Sequence, residues 1–142
     1  MHLAREYRLH LDGYGITNEY YNYMLSFCRL YDRRVQRMRD LTSLSSPPFD
    51  APVQGGLPSD PTMIKAAKMQ KLRADNDMID RCLLEASYGS EKAADDLRRN
   101  VIYRQGDRRI GILSISRATL YRYRTRFFVF LYHALVERGD IV

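Results

Sequence analysis

Apolar side chains recur at helical spacing in four parts of the chain. Tyr21, Met24, Cys28, Tyr31, Val35 and Met38 follow one another at intervals of three and four, which predicts one helix capped by Thr17 or Asn18 and running to about Leu41. Its stripe can bury against the rest of the chain or, being heptad-like, against a second copy. A second stripe, Ile64, Ala67, Leu72, Ile79 and Leu83, follows Ser59-Asp60-Pro61-Thr62. Asp60 is expected to cap that helix, Pro61 to fix φ in its first turn, and Gly89 to stop it just beyond Ala86. Ser90 then caps a third helix to about Tyr103, with Ala93, Ala94, Leu97, Val101 and Ile102 inward. In the last helix, Leu120, Phe127, Leu131 and Ala134 share a side, and Phe127 to Val136 is apolar nearly all round. Such a segment must be covered on most sides, by the earlier helices or by a second subunit. Arg138 and Gly139 supply its stop. Only Tyr7, Leu9 and Leu11 alternate like a strand, and weakly, so the fold class is all-α.

All five prolines and the pair Gly55-Gly56 lie within SSPPFDAPVQGGLPSDPT, a loop too long for a simple connection. It divides the chain into an N-terminal arm and long helix (1–41), a Pro/Gly-rich loop (42–60) and a helical body (61–142). A helix-turn-helix is expected in that body at about 106–138, ending in a long recognition helix.

Charge sharpens this picture. The net charge is +6 over 142 residues, but the basicity is local. Residues 97–126 hold nine Arg against a single acid, Asp107, while residues 42–96 hold six cations against nine acids. A window of Arg alone suits forked contacts with phosphate and guanine. Cys28 and Cys82 lack paired spacing, so neither a disulfide framework nor a zinc site is indicated. The start, MHLAREYRLHLDG, lacks a secretory apolar run, and no stretch approaches ~18 consecutive apolar residues. The chain therefore reads as cytoplasmic, with no membrane partner.

The segment RRIGILSISRATLYRYRTRFF (108–128) has the spacing of two crossed helices. Ile110 and Leu113 give the first a buried face, and Gly111 is the small residue where the second crosses. Ser114 makes the turn, Ile115 anchors it, and Ser116 caps the second helix. With Leu120 inward, Ala118, Arg122 and Thr125 point outward and Tyr121 lies at the edge. Arg122 suits guanine, while Ala118 and the Thr125 methyl suit thymine methyl groups. Arg117 and Thr119 fall in the first turn, where recognition helices meet base edges. Arg126, Arg108 and Arg109 suit phosphates. Arg124 fits none of these roles, since it falls near the buried stripe. A merely solvated basic helix is the plainer alternative.

The chain resembles the RinA/ArpU-type phage transcriptional regulators, whose C-terminal part is similar to the DNA-reading region of sigma factors. The likeness rests on TNEYYNYMLSFCRLYD, the loop ending in SDPT, and SISRATLYRYRTRFF. It implies a phage or prophage regulator of late genes in a bacterial host cell. The DNA-contacting helix would run from Ser116 to about Arg126, and host RNA polymerase and a second copy would be further partners. The segment before the turn is short and lacks an aromatic-acidic stretch, a departure that bears on polymerase contact more than on DNA contact. A small terminase-like DNA-packaging adaptor is the competing reading.

No enzyme signature stands out, and no cofactor is expected. His2, His10 and His133 are scattered, and Gly13-Tyr14-Gly15 is a turn. Asp75, Asp77 and Asp80 alternate with Arg73 and Arg81 on a helix, which reads as a solvated face in place of a metal site. Lys65, Lys68 and Lys71 read as solvated too.

Overall fold

The computed structural model describes residues 11–43, 59–103 and 114–142. These form helices α1 (Asn18–Arg29), α2 (Tyr31–Ser43), α3 (Ser59–Ala86), α4 (Glu91–Val101) and α5 (Arg117–Arg138), and no strand occurs among them. The chain divides into two compact units, Met1–Leu30 with Met78–Val142, and Tyr31–Asp77.

The first unit is built around the apolar part of α5. Leu120, Phe127, Phe128, Leu131 and Leu135 are fully buried, together with Met24, Ile79, Leu83 and Leu97 from the other helices. The N-terminal helix supplies a cover within the same chain. Tyr21 meets Phe128 edge-on, with ring centroids 5.0 Å apart. Tyr20 leans on Tyr132 at 5.6 Å, and its hydroxyl donates to the Val142 carbonyl at 3.0 Å. Helix α5 ends where Gly139 takes the left-handed conformation, φ +93°. There the Asp140 N–H returns to the Leu135 carbonyl at 2.9 Å and the Gly139 N–H to Val136 at 3.0 Å. The last carbonyls are thereby satisfied.

One expectation is corrected here. The N-terminal stripe is not one helix, because the chain breaks at Leu30 between α1 and α2. In α1 the buried residues are Tyr21, Met24, Phe27 and Cys28. In α2 the only buried residue is Arg34, while Tyr31, Val35 and Met38 are half-buried.

Arg34 organises the second unit. Its Nε lies 3.5 Å from Asp75, and it donates to Asn76 Oδ1 at 3.3 Å. Asn76 Nδ2 in turn donates to the Tyr31 carbonyl at 3.1 Å. Asp75 also sits 3.6 Å from Lys71. Asp75 is thus buried, against the expectation of a solvated acidic face, and Arg34 is buried with it. Removing one partner of a buried pair leaves the other desolvated and uncompensated, at a cost of about 3 kcal/mol. We therefore expect Asp75→Ala to accelerate amide hydrogen exchange throughout α2 while leaving α5 unchanged. Equal exchange in α2 of the variant and the parent would show that this latch does not hold the two helices together.

Helix α3 contributes to both units. Its end at Ala86 agrees with the stop expected before Gly89, but it begins at Ser59, so Asp60 lies within the helix and not at its cap. Ile79 and Leu83 are buried as their spacing implies, whereas Ile64 and Ala67 are exposed. Cys82 lies among the buried residues. Burial pushes its thiol up to about 12 from 9.0, helped by Glu85 and opposed by Arg81. The folded chain therefore holds the proton more tightly than the unfolded chain. This contribution to stability is complete below pH 9 and is lost as pH rises toward 12. Thiolate is the reactive form, so alkylation of Cys82 at pH 8 should be far slower in the native protein than in urea. Equal native and denatured rates would contradict this environment.

Candidate nucleic-acid interface

Helix α5 begins at a capped turn held by a second helix. The Ser116 hydroxyl accepts the Thr119 N–H at 3.1 Å, so a first-turn donor is satisfied by a side chain that leaves the helix entrance open. Two residues earlier, Ser114 is fastened to α4. Its N–H and hydroxyl both donate to Asp96 Oδ2, at 2.8 and 2.7 Å. Asp96 is itself buried, and a carboxylate accepting two such bonds fixes where the chain enters α5.

Beyond the cap, one side of α5 is committed to the core through Leu120 and the other is presented outward. Arg117, Ala118 and Arg122 are exposed, as is Ser116. Thr119, Tyr121 and Thr125 are half-buried along the edge. A chain of hydrogen bonds runs along this face. The Ser116 hydroxyl donates to Thr119 Oγ1 at 2.8 Å, and Arg122 Nη2 donates to the same oxygen at 3.1 Å. Thr119 therefore orients the Arg122 guanidinium, leaving its remaining donors outward. The Thr125 hydroxyl bonds back to the Tyr121 carbonyl at 3.2 Å, which leaves its methyl as the contact group.

The structure brings together Ser116, Arg117, Ala118, Thr119, Tyr121, Arg122 and Thr125 on this one helix. Arg126 departs from the phosphate role read for it. Its Nε donates to the Ala86 carbonyl at 3.2 Å and an Nη to the Glu85 carbonyl at 3.1 Å. The guanidinium also lies over the Tyr88 ring at 3.9 Å and near Phe130 at 5.1 Å. It neutralises the carbonyl end of α3, and a phosphate would have to share or displace those bonds. Arg108, Arg109 and the first helix of the expected helix-turn-helix, up to Leu113, lie outside the described residues.

Two residues important to the site escape the sequence reading. Arg124, which fitted no role, is a tether. It donates to Asn100 on α4 and, at 2.7 Å, to the Tyr21 hydroxyl on α1, with Phe128 beneath it at 5.1 Å. It thereby ties three helices together behind the exposed face. Asp96 is the other. Its signal is a carboxylate three residues after Ala93 and beside Leu97, within the inner face of α4. Of the acids read as a solvated face, Asp75 is held by Arg34 and Asp80 by Arg98 at 2.9 Å. No described helix is long and apolar enough to cross a membrane.

Comparison with protein-family models, curated proteins and solved structures finds no match to this chain.

The Asp96 anchor is testable by substitution. Asp96→Ala leaves the Ser114 N–H without its charged acceptor, a loss of about 1–3 kcal/mol. We expect a lower urea midpoint and faster exchange at Ser114 to Thr119, whereas Asp96→Asn retains an acceptor and should lose less. Equal midpoints for all three proteins would remove Asp96 from the account of how α5 is positioned.

Proposed function

We propose that this protein is a sequence-specific binder of double-stranded DNA that reads the major groove with the N-terminal half of α5. The observation that carries the reading is the exposed pair Ala118 and Arg122, opposite the buried Leu120, with Arg117 exposed in the first turn of a Ser-capped helix entrance. An α-helix fits the major groove. Arg pairs with the guanine edge through two parallel bonds, and small side chains meet thymine methyl groups. The Ser116–Thr119–Arg122 chain supports it further, since a guanidinium already oriented loses less freedom on binding.

On this reading the segment before Ser114 is the first helix of a helix-turn-helix, and Arg108 and Arg109 contact phosphates. The resemblance of SISRATLYRYRTRFF to RinA/ArpU-type regulators supports a transcriptional role in a phage or prophage. Late genes would be the target, and host RNA polymerase and a second copy the further partners. The proposal involves no catalysis and no cofactor.

Selection of bound sequences from a random duplex pool is the direct test, and enrichment of a discrete motif is expected. Affinity for that motif should fall with salt at a log–log slope near ~0.9 per phosphate neutralised. Arg122→Ala should cost about 1–3 kcal/mol at one base pair and relax preference there. Equal losses on selected and random duplexes would reduce Arg122 to a phosphate contact. Failure to enrich any motif, with no retardation at low salt, would overturn the proposal. A large ring in light scattering would favour a packaging adaptor over a regulator.

A further inference from the structure

The unit Tyr31–Asp77 has an unusual interior. Among its described residues the buried ones are Arg34, Asp75 and Asn76, all polar. Its apolar side chains lie outside that latch. Met63 is 63% exposed and Ile64 55%, Ala67 is exposed and Leu72 half-buried. Helix pairs ordinarily bury such residues against each other, and here they face outward along α3.

These side chains form a groove of about 490 Å³. Ile64, Ala67 and Leu72 supply its apolar floor, and Arg37, Lys68 and Lys71 line it beside them. Lys71 also reaches Asp75 at 3.6 Å, and among the described residues no carboxylate lines the groove. From Ile64 to Leu72 the floor extends about 12 Å along the helix axis, the length of roughly two turns of a docked helix. An occupant must therefore offer apolar anchors and negative charge together.

We infer that this groove docks an acidic amphipathic helix of a partner protein. The anchors would sit at i, i+4 and i+7 on the floor, with Glu or Asp side chains beside Arg37, Lys68 and Lys71. The alternatives meet this surface less well. A second copy would set the same three cations against themselves. Nucleic acid would satisfy the cations but cover an aliphatic floor that offers no aromatic ring for base stacking. The inference is independent of DNA reading by α5, because it uses different residues in a different unit.

The test uses the full chain and a fluorescein-labelled 18-residue designed helix with Leu at i, i+4 and i+7 and Glu on either side. A second peptide has every Glu replaced by Lys, and a random duplex serves as competitor. Fluorescence anisotropy should show saturable binding of the acidic peptide only. Ile64→Gln and, separately, Lys68→Glu should each weaken it at least tenfold with unchanged helicity by circular dichroism. Both positions are exposed, so folding should survive the changes. Excess random duplex should leave the peptide bound. Absent binding, equal binding of the Lys peptide, or full displacement by duplex would overturn the inference. Concentration-dependent self-association abolished by Ile64→Gln would overturn it in favour of a second copy. Loss of DNA binding in Arg122→Ala, with peptide binding intact, separates this test from that of the α5 reading.

Discussion

Helix α5 must bury a segment that is apolar on nearly every side, and that constraint arranges the rest of its unit. Phe127, Phe128, Leu131 and Leu135 cannot be covered by one neighbour. Helix α1 closes over them through Tyr20 and Tyr21, and α4 and the end of α3 contribute Leu97, Ile79 and Leu83. The polar residues on this helix are then sorted by what remains. Arg124, too close to the core to reach water easily, finds Asn100 and the Tyr21 hydroxyl. Arg126 finds the carbonyl end of α3. Arg117 and Arg122, one to two turns earlier, are left facing outward. The exposed face is thus what core packing does not claim.

Much of this is legible in residue spacing because each signal is local. Ser90 and Ser116 cap the helices they precede, Gly139 terminates α5, and Pro61 lies in the first turn of α3. The all-helical character follows from the three-and-four periodicity. The break at Leu30 was not legible, because the stripe from Tyr21 to Met38 continues without a Pro or Gly to interrupt it. Equally hidden from spacing is the buried pair between residues more than forty positions apart, Arg34 with Asp75. Arg side chains in a helix look alike until their partners are known.

The candidate site divides in the same way. Its outward set follows from a helical wheel centred on Leu120, and Ala118 and Arg122 are exposed as that wheel requires. Tyr121 lies at the edge as the wheel places it, and Thr125 lies closer to the edge than the wheel alone suggests, since α5 is packed against several neighbours. The supports behind the face, Asp96 under Ser114 and Arg124 across three helices, are contacts between distant parts of the chain. Helical periodicity carries no information about such pairings. A carboxylate on an apolar stripe, as at Asp96, is the nearest thing to a warning.

Arg126 gives one consequence of its own. Its guanidinium completes the hydrogen bonding of Glu85 and Ala86 while stacking on Tyr88, a non-glycine residue held at φ +54°. An anion that captured this cation would return the Ala86 carbonyl to solvent, leave the Glu85 carbonyl to the Tyr88 N–H, and uncover the Tyr88 ring. By thermodynamic reciprocity, whatever loosens the end of α3 makes Arg126 more available to an anion, by the same free energy. A single side chain thus makes the fraying of one helix and the charge displayed by another a coupled equilibrium.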